Sequence, residues 1–178
     1  MSDVYELSRP VRLRSLPADP IVIVADEAER AALAERFGIP AVTALRAEVD
    51  VERRAKAVHV IGSLDAEIVQ ECAVAGDEFT SAIREDIALR FVPEGAPPPA
   101  NEEGEIVVEL DADALDELTY SGDTIDIGEA VAQTLALAID PYAEGPNADA
   151  ARAKAGIERE GEQEGPLAEM LKGLRSGG

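Results

Sequence analysis

Residues 120–141, YSGDTIDIGEAVAQTLALAIDP, contain a helix whose start and end are both marked in the sequence. Asp126 is a suitable N-cap, and Glu129 stands three residues later, where its carboxylate can accept a hydrogen bond from the backbone N–H of the cap. Apolar residues follow at helical spacing until Pro141, which cannot continue the helix. The pattern predicts a turn at 121–123, a short extended piece and a helix over 127–139 that is buried on one side.

The first forty residues predict a second helix between extended segments. Residues 5–16 are expected to form an extended arm or first strand, and the β-branched run at 21–25 a buried strand. Asp26 and Glu29 repeat the capping-box pattern, and Gly38 stands at the expected end, so a helix is predicted over 26–37.

Three β-type runs follow, at 41–51, 58–69 and 79–92, and the breaks between them are short. Such spacing predicts an antiparallel meander, with residues 81–89 open to a competing helical interpretation. We expect a further strand at 106–110 and a short acidic turn of helix at 111–117.

The predicted fold class is therefore α+β: a twisted, mostly antiparallel sheet that could curl towards a barrel, with two main helices. We expect one domain over residues 1–143 and a flexible tail over 144–178, because residues 144–165 show no apolar period. Within the tail, residues 166–174 form a short amphipathic segment. It is either a fraying helix or a tethered docking peptide.

Composition restricts the class of protein. The formal net charge is −21 at pH 7, and residues 91–151, the acidic belt, contain no Lys or Arg. Such a surface repels phosphate backbones and attracts basic partners, although solubility alone could also explain it. No apolar run approaches the roughly 20 residues of a membrane span, and the N-terminus has no apolar signal region. We expect a cytoplasmic protein.

The sequence contains no convincing catalytic or metal-binding pattern. His59 is the only histidine, and Cys72 is the only cysteine, which we expect to be a buried, unreactive thiol. Asp111, Asp113 and Asp116 resemble the start of a calcium loop, but Asp116 stands where that loop needs glycine. Known phosphate-binding and hydrolase motifs are also missing. We therefore expect a protein that is not an enzyme and uses no cofactor and no metal.

Two groups of basic residues are candidates for contact with RNA phosphates. The first comprises Arg9, Arg12 and Arg14, and the second comprises Arg53, Arg54 and Lys56, near His59. They lack interleaved aromatic residues, so they do not predict a platform for base stacking. Either group by itself could simply pair with neighbouring carboxylates, but together they could bind phosphates if the fold brings them close.

Several separate motifs resemble the YceD family of large ribosomal RNA subunit accumulation proteins. The first motif is a strand pattern, and the second is a later strand that ends in Phe-Val-Pro. The third is the start of a helix, and the fourth is the continuation of that helix into Asp-Pro-Tyr. The matching residues are Gly62, Leu64, Ala66, Gln70 and Cys72; Phe91, Val92 and Pro93; Ile125 through Val131; and Gln133, Leu135, Leu137, Ala138, Asp140, Pro141 and Tyr142. Ile127 replaces the usual leucine. Residues 8–11 also resemble the start of alphaproteobacterial members, which indicates a bacterial protein.

The resemblance implies a non-enzymatic ribosome-biogenesis factor that supports the synthesis, processing or stability of 23S ribosomal RNA. Its partner would be the large-subunit rRNA precursor or a basic large-subunit ribosomal protein, and the acidic belt slightly favours the protein. An acidic protein-interaction module unrelated to ribosomes is the alternative. Many members carry further cysteines that look like metal ligands, but this sequence lacks them. The signature residues expected to be structural are Gly62, Gln70, Cys72, Asp126, Gly128, Glu129 and Pro141.

Overall fold

The computed structural model describes residues 5–95 and 116–156. Seven strands and three helices lie in these ranges. In chain order they are β1 (Pro10–Arg12), β2 (Ile21–Val24), α1 (Glu27–Phe37), β3 (Ala41–Arg54), β4 (Ala57–Glu71), β5 (Glu78–Pro93), β6 (Asp116–Tyr120), β7 (Thr124–Asp126), α2 (Ile127–Ala138) and α3 (Ala148–Ala155).

The strands form two sheets. The larger sheet has the order β2-β3-β4-β5-β6, and β1 pairs with β7 in a separate antiparallel ribbon. Pairing is antiparallel between β2 and β3 and between β3 and β4, whereas β5 and β6 are parallel. The α+β class and the mostly antiparallel sheet are confirmed. In the described part of the chain the large sheet is not closed into a barrel, because β2 and β6 remain separate end strands.

Alternation of side chains in β4 explains how the sheet buries one face. Val58, Val60, Leu64 and Ile68 are fully buried, whereas residues between them, such as Ile61, are more exposed. Successive side chains of a strand point to opposite faces, so the even-numbered positions of β4 face the core.

The hairpin between β3 and β4 is tighter than the sequence suggests. Both strands extend to a turn at Ala55 and Lys56, and Arg53 and Arg54 are the last residues of β3. Ala55 has a φ of 54°, a left-handed conformation that costs a residue with a Cβ atom about 1 kcal/mol.

Strand β2 corrects one prediction. A β-branched run was expected to be buried, but Val22 is 49% exposed and Val24 is 57% exposed, and only Ile23 faces the core completely. Val22 and Val24 lie on the face of β2 opposite to Ile23, and this face is largely open to solvent in the described part of the chain. The alternative prediction of a helix at 81–89 is also wrong, since these residues belong to β5.

The structure corrects two further predictions, which concern residues 111–117 and 144–165. Asp116 and Glu117 begin β6 instead of ending a turn of helix, while the strand expected at 106–110 lies outside the described residues. Part of the segment expected to lack regular structure forms α3, which ends at Gly156 with a φ of 67°. The amphipathic segment at 166–174 lies outside the described residues.

The described residues belong to two compact units. The first contains the chain up to Gln70 together with Thr80–Asp140, and it includes both sheets' main pairings, α1 and α2. The second contains Glu71–Phe79 and residues from Pro141 onward, including α3. In this second unit the backbone N–H of Ala73 donates to the carbonyl of Ala143 at 3.0 Å, and the Asn147 amide donates to Asp77 at 2.6 Å.

Candidate nucleic-acid interface

The structure brings part of the first predicted basic group, Arg12 and Arg14, next to the second group in the first unit. Arg53 Nη2, at the end of β3, donates a hydrogen bond of 2.5 Å to the backbone carbonyl of Leu13. Leu13 itself is buried, and it stands between Arg12 and Arg14, which are exposed. The tip of the β3–β4 hairpin therefore lies beside the arm that follows β1.

The basic side chains at this point differ in whether they form ion pairs with carboxylates. Arg12 and Lys56 are exposed, and no described residue forms an ion pair with either of them. Arg14 Nε is 4.0 Å from Asp123, with 87% of the arginine side chain exposed, and Arg54 pairs with Glu52 at 3.0 Å. Exposed pairs of this kind contribute little stability, so their guanidinium groups can exchange partners. We call Arg12, Arg14, Arg53, Arg54 and Lys56 the basic surface.

Arg9 is held elsewhere. Its guanidinium forms a bidentate pair with Glu29 of α1, at 2.7 and 3.1 Å, and this hydrogen bonding lowers the pKa of Glu29 below its usual value. Glu29 also completes the predicted capping box by accepting the backbone N–H of Asp26 at 2.9 Å. The structure thus gives Arg9 a role in joining the N-terminal arm to α1.

His59 lies across the β3–β4 pair from Glu52 and adds no positive charge to this region. Burial lowers the pKa of His59, and the nearby charges of Arg54 and Arg90 lower it further. Its Nδ1 atom is buried and has no hydrogen-bond partner in the described part of the chain. A neutral imidazole at pH 7 follows from these surroundings.

Asp126 joins three segments at the start of α2. Its carboxylate accepts hydrogen bonds from Ser8 Oγ at 2.5 Å, from the backbone N–H of Arg9 at 2.8 Å and from the backbone N–H of Glu129 at 3.1 Å. The predicted N-cap is therefore confirmed. The same side chain also fixes the N-terminal arm against α2.

Glu129 corrects the second half of that prediction. Instead of returning to the cap, its carboxylate accepts two hydrogen bonds from Arg36 of α1, at 2.7 and 2.8 Å, and one from Gln133 at 2.9 Å. Arg36 also contacts Glu6 at 2.9 Å. Hydrogen bonding to Arg36 lowers the pKa of Glu129, although burial acts in the opposite direction. This partly buried ion pair connects α1 with α2.

Two signature glycines allow close backbone approaches. A Cβ atom on Gly128 would lie 2.6 Å from the carbonyl oxygen of Leu7 and 2.8 Å from the backbone nitrogen of Arg9. A Cβ atom on Gly62 would overlap the carbonyl oxygen of Glu48 on the neighbouring strand. Both positions therefore exclude any side chain, which explains why the family pattern has glycine there.

The remaining signature residues are Gln70, Cys72 and Pro141, and their positions fit structural roles. Gln70, near the end of β4, is 6% exposed, and Pro141 follows α2. Cys72 of the second unit is 2% exposed, as expected for a buried thiol. The backbone N–H of Ala75 donates to its Sγ at 3.3 Å and lowers the pKa of the thiol.

Neither metal ligation nor a membrane span is visible in the described ranges. Residues 5–95 and 116–156 contain no cluster of three or more His, Cys, Asp or Glu side chains that could hold a metal ion. None of the helices in these ranges has the length and apolar character needed to cross a membrane.

Sequence reasoning missed Arg36, whose guanidinium hydrogen-bonds to both Glu6 and Glu129. Its signal was only its position in the last turn of a capped helix, where a basic residue is common. It also missed Arg90, which pairs with Glu117 at 3.2 Å and influences His59.

Comparison with known proteins identifies one family. Residues 60–171, more than half of the 178-residue chain, match the model described as Large ribosomal RNA subunit accumulation protein YceD. No curated protein and no solved structure matches the chain significantly.

Proposed function

This chain belongs to the YceD family, and we propose that it supports the synthesis, processing or stability of 23S rRNA by contacting the RNA backbone through its basic surface. The family name implies a role in the accumulation of large-subunit ribosomal RNA. One observation carries the proposed contact: the hydrogen bond from Arg53 to Leu13, which places Arg12 and Arg14 next to the second basic group.

The chemistry of these side chains suits phosphate groups. A guanidinium presents a planar set of donors that can bind two phosphate oxygens at once, and each neutralised phosphate releases counterions. The basic surface has no interleaved aromatic side chain, so we propose backbone contacts that do not read the base sequence.

The net charge of −21 limits how strong this contact can be. Charges separated by more than about 8 Å are largely screened at physiological ionic strength, so only carboxylates within about that distance of the basic surface weaken RNA binding appreciably. We expect the affinity for RNA to fall steeply as the salt concentration increases, because each neutralised phosphate releases counterions.

A non-enzymatic role in the cytoplasm is part of the proposal. The carboxylates of Glu29 and Glu129, whose pKa values are clearly lowered, are each bonded to an arginine. Such carboxylates stay ionised at neutral pH and are engaged in structural pairs, so they are poorly suited to donate or accept protons in catalysis.

The experiment compares two double variants in binding to a labelled 23S rRNA precursor transcript. Arg12→Gln with Arg14→Gln removes two exposed cations of the basic surface. The matched control, Arg46→Gln with Arg84→Gln, removes two exposed arginines that pair with Glu48 and Asp65 elsewhere in the first unit. We expect the first variant to weaken binding about tenfold and to reduce the slope of log K against log salt by about 2.

Equal losses in both double variants would show that the position of the cations is irrelevant, and the proposed surface would be wrong. The alternative function, an acidic interaction module unrelated to ribosomes, is tested separately in cells. It predicts that 23S rRNA levels stay unchanged when the protein is depleted, whereas the proposed function predicts that they fall.

A further inference from the structure

A groove lies between α2 and the end of the large sheet in the first unit. Its volume is about 460 Å³, and one wall is the face of α2 that carries Ala130, Gln133, Thr134, Leu137 and Ala138. These positions recur at helical spacing, so they line a single stripe. The opposite wall contains Leu89 of β5 and Leu118 of β6.

The apolar part of the groove is open to solvent. Leu137 is 85% exposed, although it belongs to an apolar helix whose opposite side is completely buried. An isolated exposed leucine is common on protein surfaces, but this one borders a concavity with an apolar floor.

The rim of the groove is acidic. Glu85, Asp86 and Asp116 line it, and no Lys or Arg is among its described lining residues. No hydrogen-bond or ion-pair partner for these three carboxylates lies within residues 5–95 or 116–156. Their negative charge is therefore available to a ligand.

A second concavity continues the groove along α2. It has a volume of about 410 Å³, shares Leu118, Ala130 and Gln133 with the first, and extends to Thr124, the first residue of β7. Its described lining also contains no Lys or Arg. Strand β6, which borders both concavities, is the last strand of the described sheet, and no described strand pairs with its outer edge.

We propose that this acidic groove binds an extended, arginine- or lysine-rich segment of a partner protein in which apolar side chains alternate with the basic ones. The apolar side chains contact Leu137 and Leu118, while the cations approach Glu85, Asp86 and Asp116. An extended segment also uses the outer edge of β6, as in other cases of strand addition. The rim excludes nucleic acid from this groove, because its carboxylates repel phosphates.

This inference does not depend on the basic surface. The groove and the basic surface have no residue in common, and their charges have opposite sign. The Arg12→Gln, Arg14→Gln variant should therefore bind a basic peptide as tightly as the unchanged protein does, whatever its effect on RNA binding.

The test uses the full chain and a fluorescently labelled synthetic peptide in which arginine alternates with leucine, and binding is followed by fluorescence anisotropy. Glu85→Lys with Asp86→Lys reverses two rim charges. Asp19→Lys with Asp50→Lys is the matched control, because it changes the net charge equally at exposed positions outside the groove. We expect the rim variant to bind at least about tenfold more weakly and the control less than about threefold.

A second comparison isolates the apolar contact. A peptide in which arginine alternates with serine has the same charge but no apolar side chain, and we expect it to bind several-fold more weakly. Leu137→Ser should weaken binding of the arginine–leucine peptide about threefold and leave the affinity for the arginine–serine peptide unchanged. Leu137 is almost fully exposed, so this substitution leaves the fold intact, which circular dichroism verifies.

Three results would overturn the proposal. They are equal weakening by the rim and control variants, equal affinity for the two peptides, and failure of the full chain to bind the arginine–leucine peptide.

Discussion

Replacing Arg36 with methionine is the most direct test of how the family signature stabilises this fold. Arg36 donates two hydrogen bonds to Glu129, at 2.7 and 2.8 Å, and the exposed fractions of the two side chains are 30% and 11%. Methionine preserves much of the side-chain volume but leaves the Glu129 carboxylate with Gln133 as its side-chain donor. The variant therefore isolates the loss of the ion pair.

The expected loss of unfolding free energy is about 3 kcal/mol. Removal of one partner from a buried ion pair costs about 3 to 5 kcal/mol, and the partial exposure of Arg36 places this case at the lower end. Glu129→Gln should cost less, about 1.5 kcal/mol, because Arg36 still contacts Glu6 at 2.9 Å and is closer to water. The double variant should lose clearly less than the sum of the two, with a coupling energy of about 1 to 2 kcal/mol.

Urea unfolding at pH 7, followed by circular dichroism, measures these differences. Arg84→Met serves as the matched control, because Arg84 also pairs with a carboxylate, Asp65 at 2.6 Å, but 83% of its side chain is exposed. This control should show no measurable loss of stability. A loss below about 1 kcal/mol for Arg36→Met, or strict additivity in the double variant, would refute the reasoning that this pair joins α1 to α2.

Three further predictions concern the glycine contact, the hairpin turn and acid stability. Gly128→Ala should lower the unfolding free energy by about 2 kcal/mol in urea unfolding, since its Cβ would lie 2.6 Å from the carbonyl oxygen of Leu7; an unchanged midpoint would contradict the close approach. Ala55→Gly should raise the melting temperature by about 2 °C, because glycine removes the strain of a φ of 54°, and a lower melting temperature would contradict this. The pKa of Glu129 is lowered in the folded state by Arg36, so its stabilising contribution is fully present above the ordinary value of 4.5 and is lost as the pH falls through the lower, folded-state pKa. The stability difference between the unchanged protein and Glu129→Gln should therefore be constant from pH 7 to about pH 5 and shrink below pH 4.5 in unfolding measurements across pH; a difference that grows on acidification would contradict it.

Local signals in the sequence were sufficient for most of the secondary structure. The helix α1 has its N-cap at Asp26, with a capping box, and its C-cap at Gly38 in a left-handed conformation, as its residues predict. The buried side of β4 follows directly from alternation of apolar residues. These features depend on residues that are close together in the sequence, so their energetics can be judged without knowledge of the fold.

Predictions failed where a residue's partner lies far away in the chain. Glu129 has the spacing of a capping-box residue, but Arg36 offers its carboxylate two charge-assisted hydrogen bonds, which are stronger than one bond to a backbone N–H. Val22 and Val24 have the composition of a buried strand, but β2 is an end strand with one open face. Neither outcome can be derived from neighbouring residues.

By itself, the sequence determined the α+β class, the two capped helices, the family signature and the two groups of basic residues. Only the tertiary structure decided that Arg9 pairs with Glu29, that Arg53 joins the hairpin to the arm at Leu13, and that an acidic groove lies beside α2. The physical reason is that caps and alternation are short-range properties of the chain. The position of a charge relative to a distant charge is set instead by the packing of the whole core.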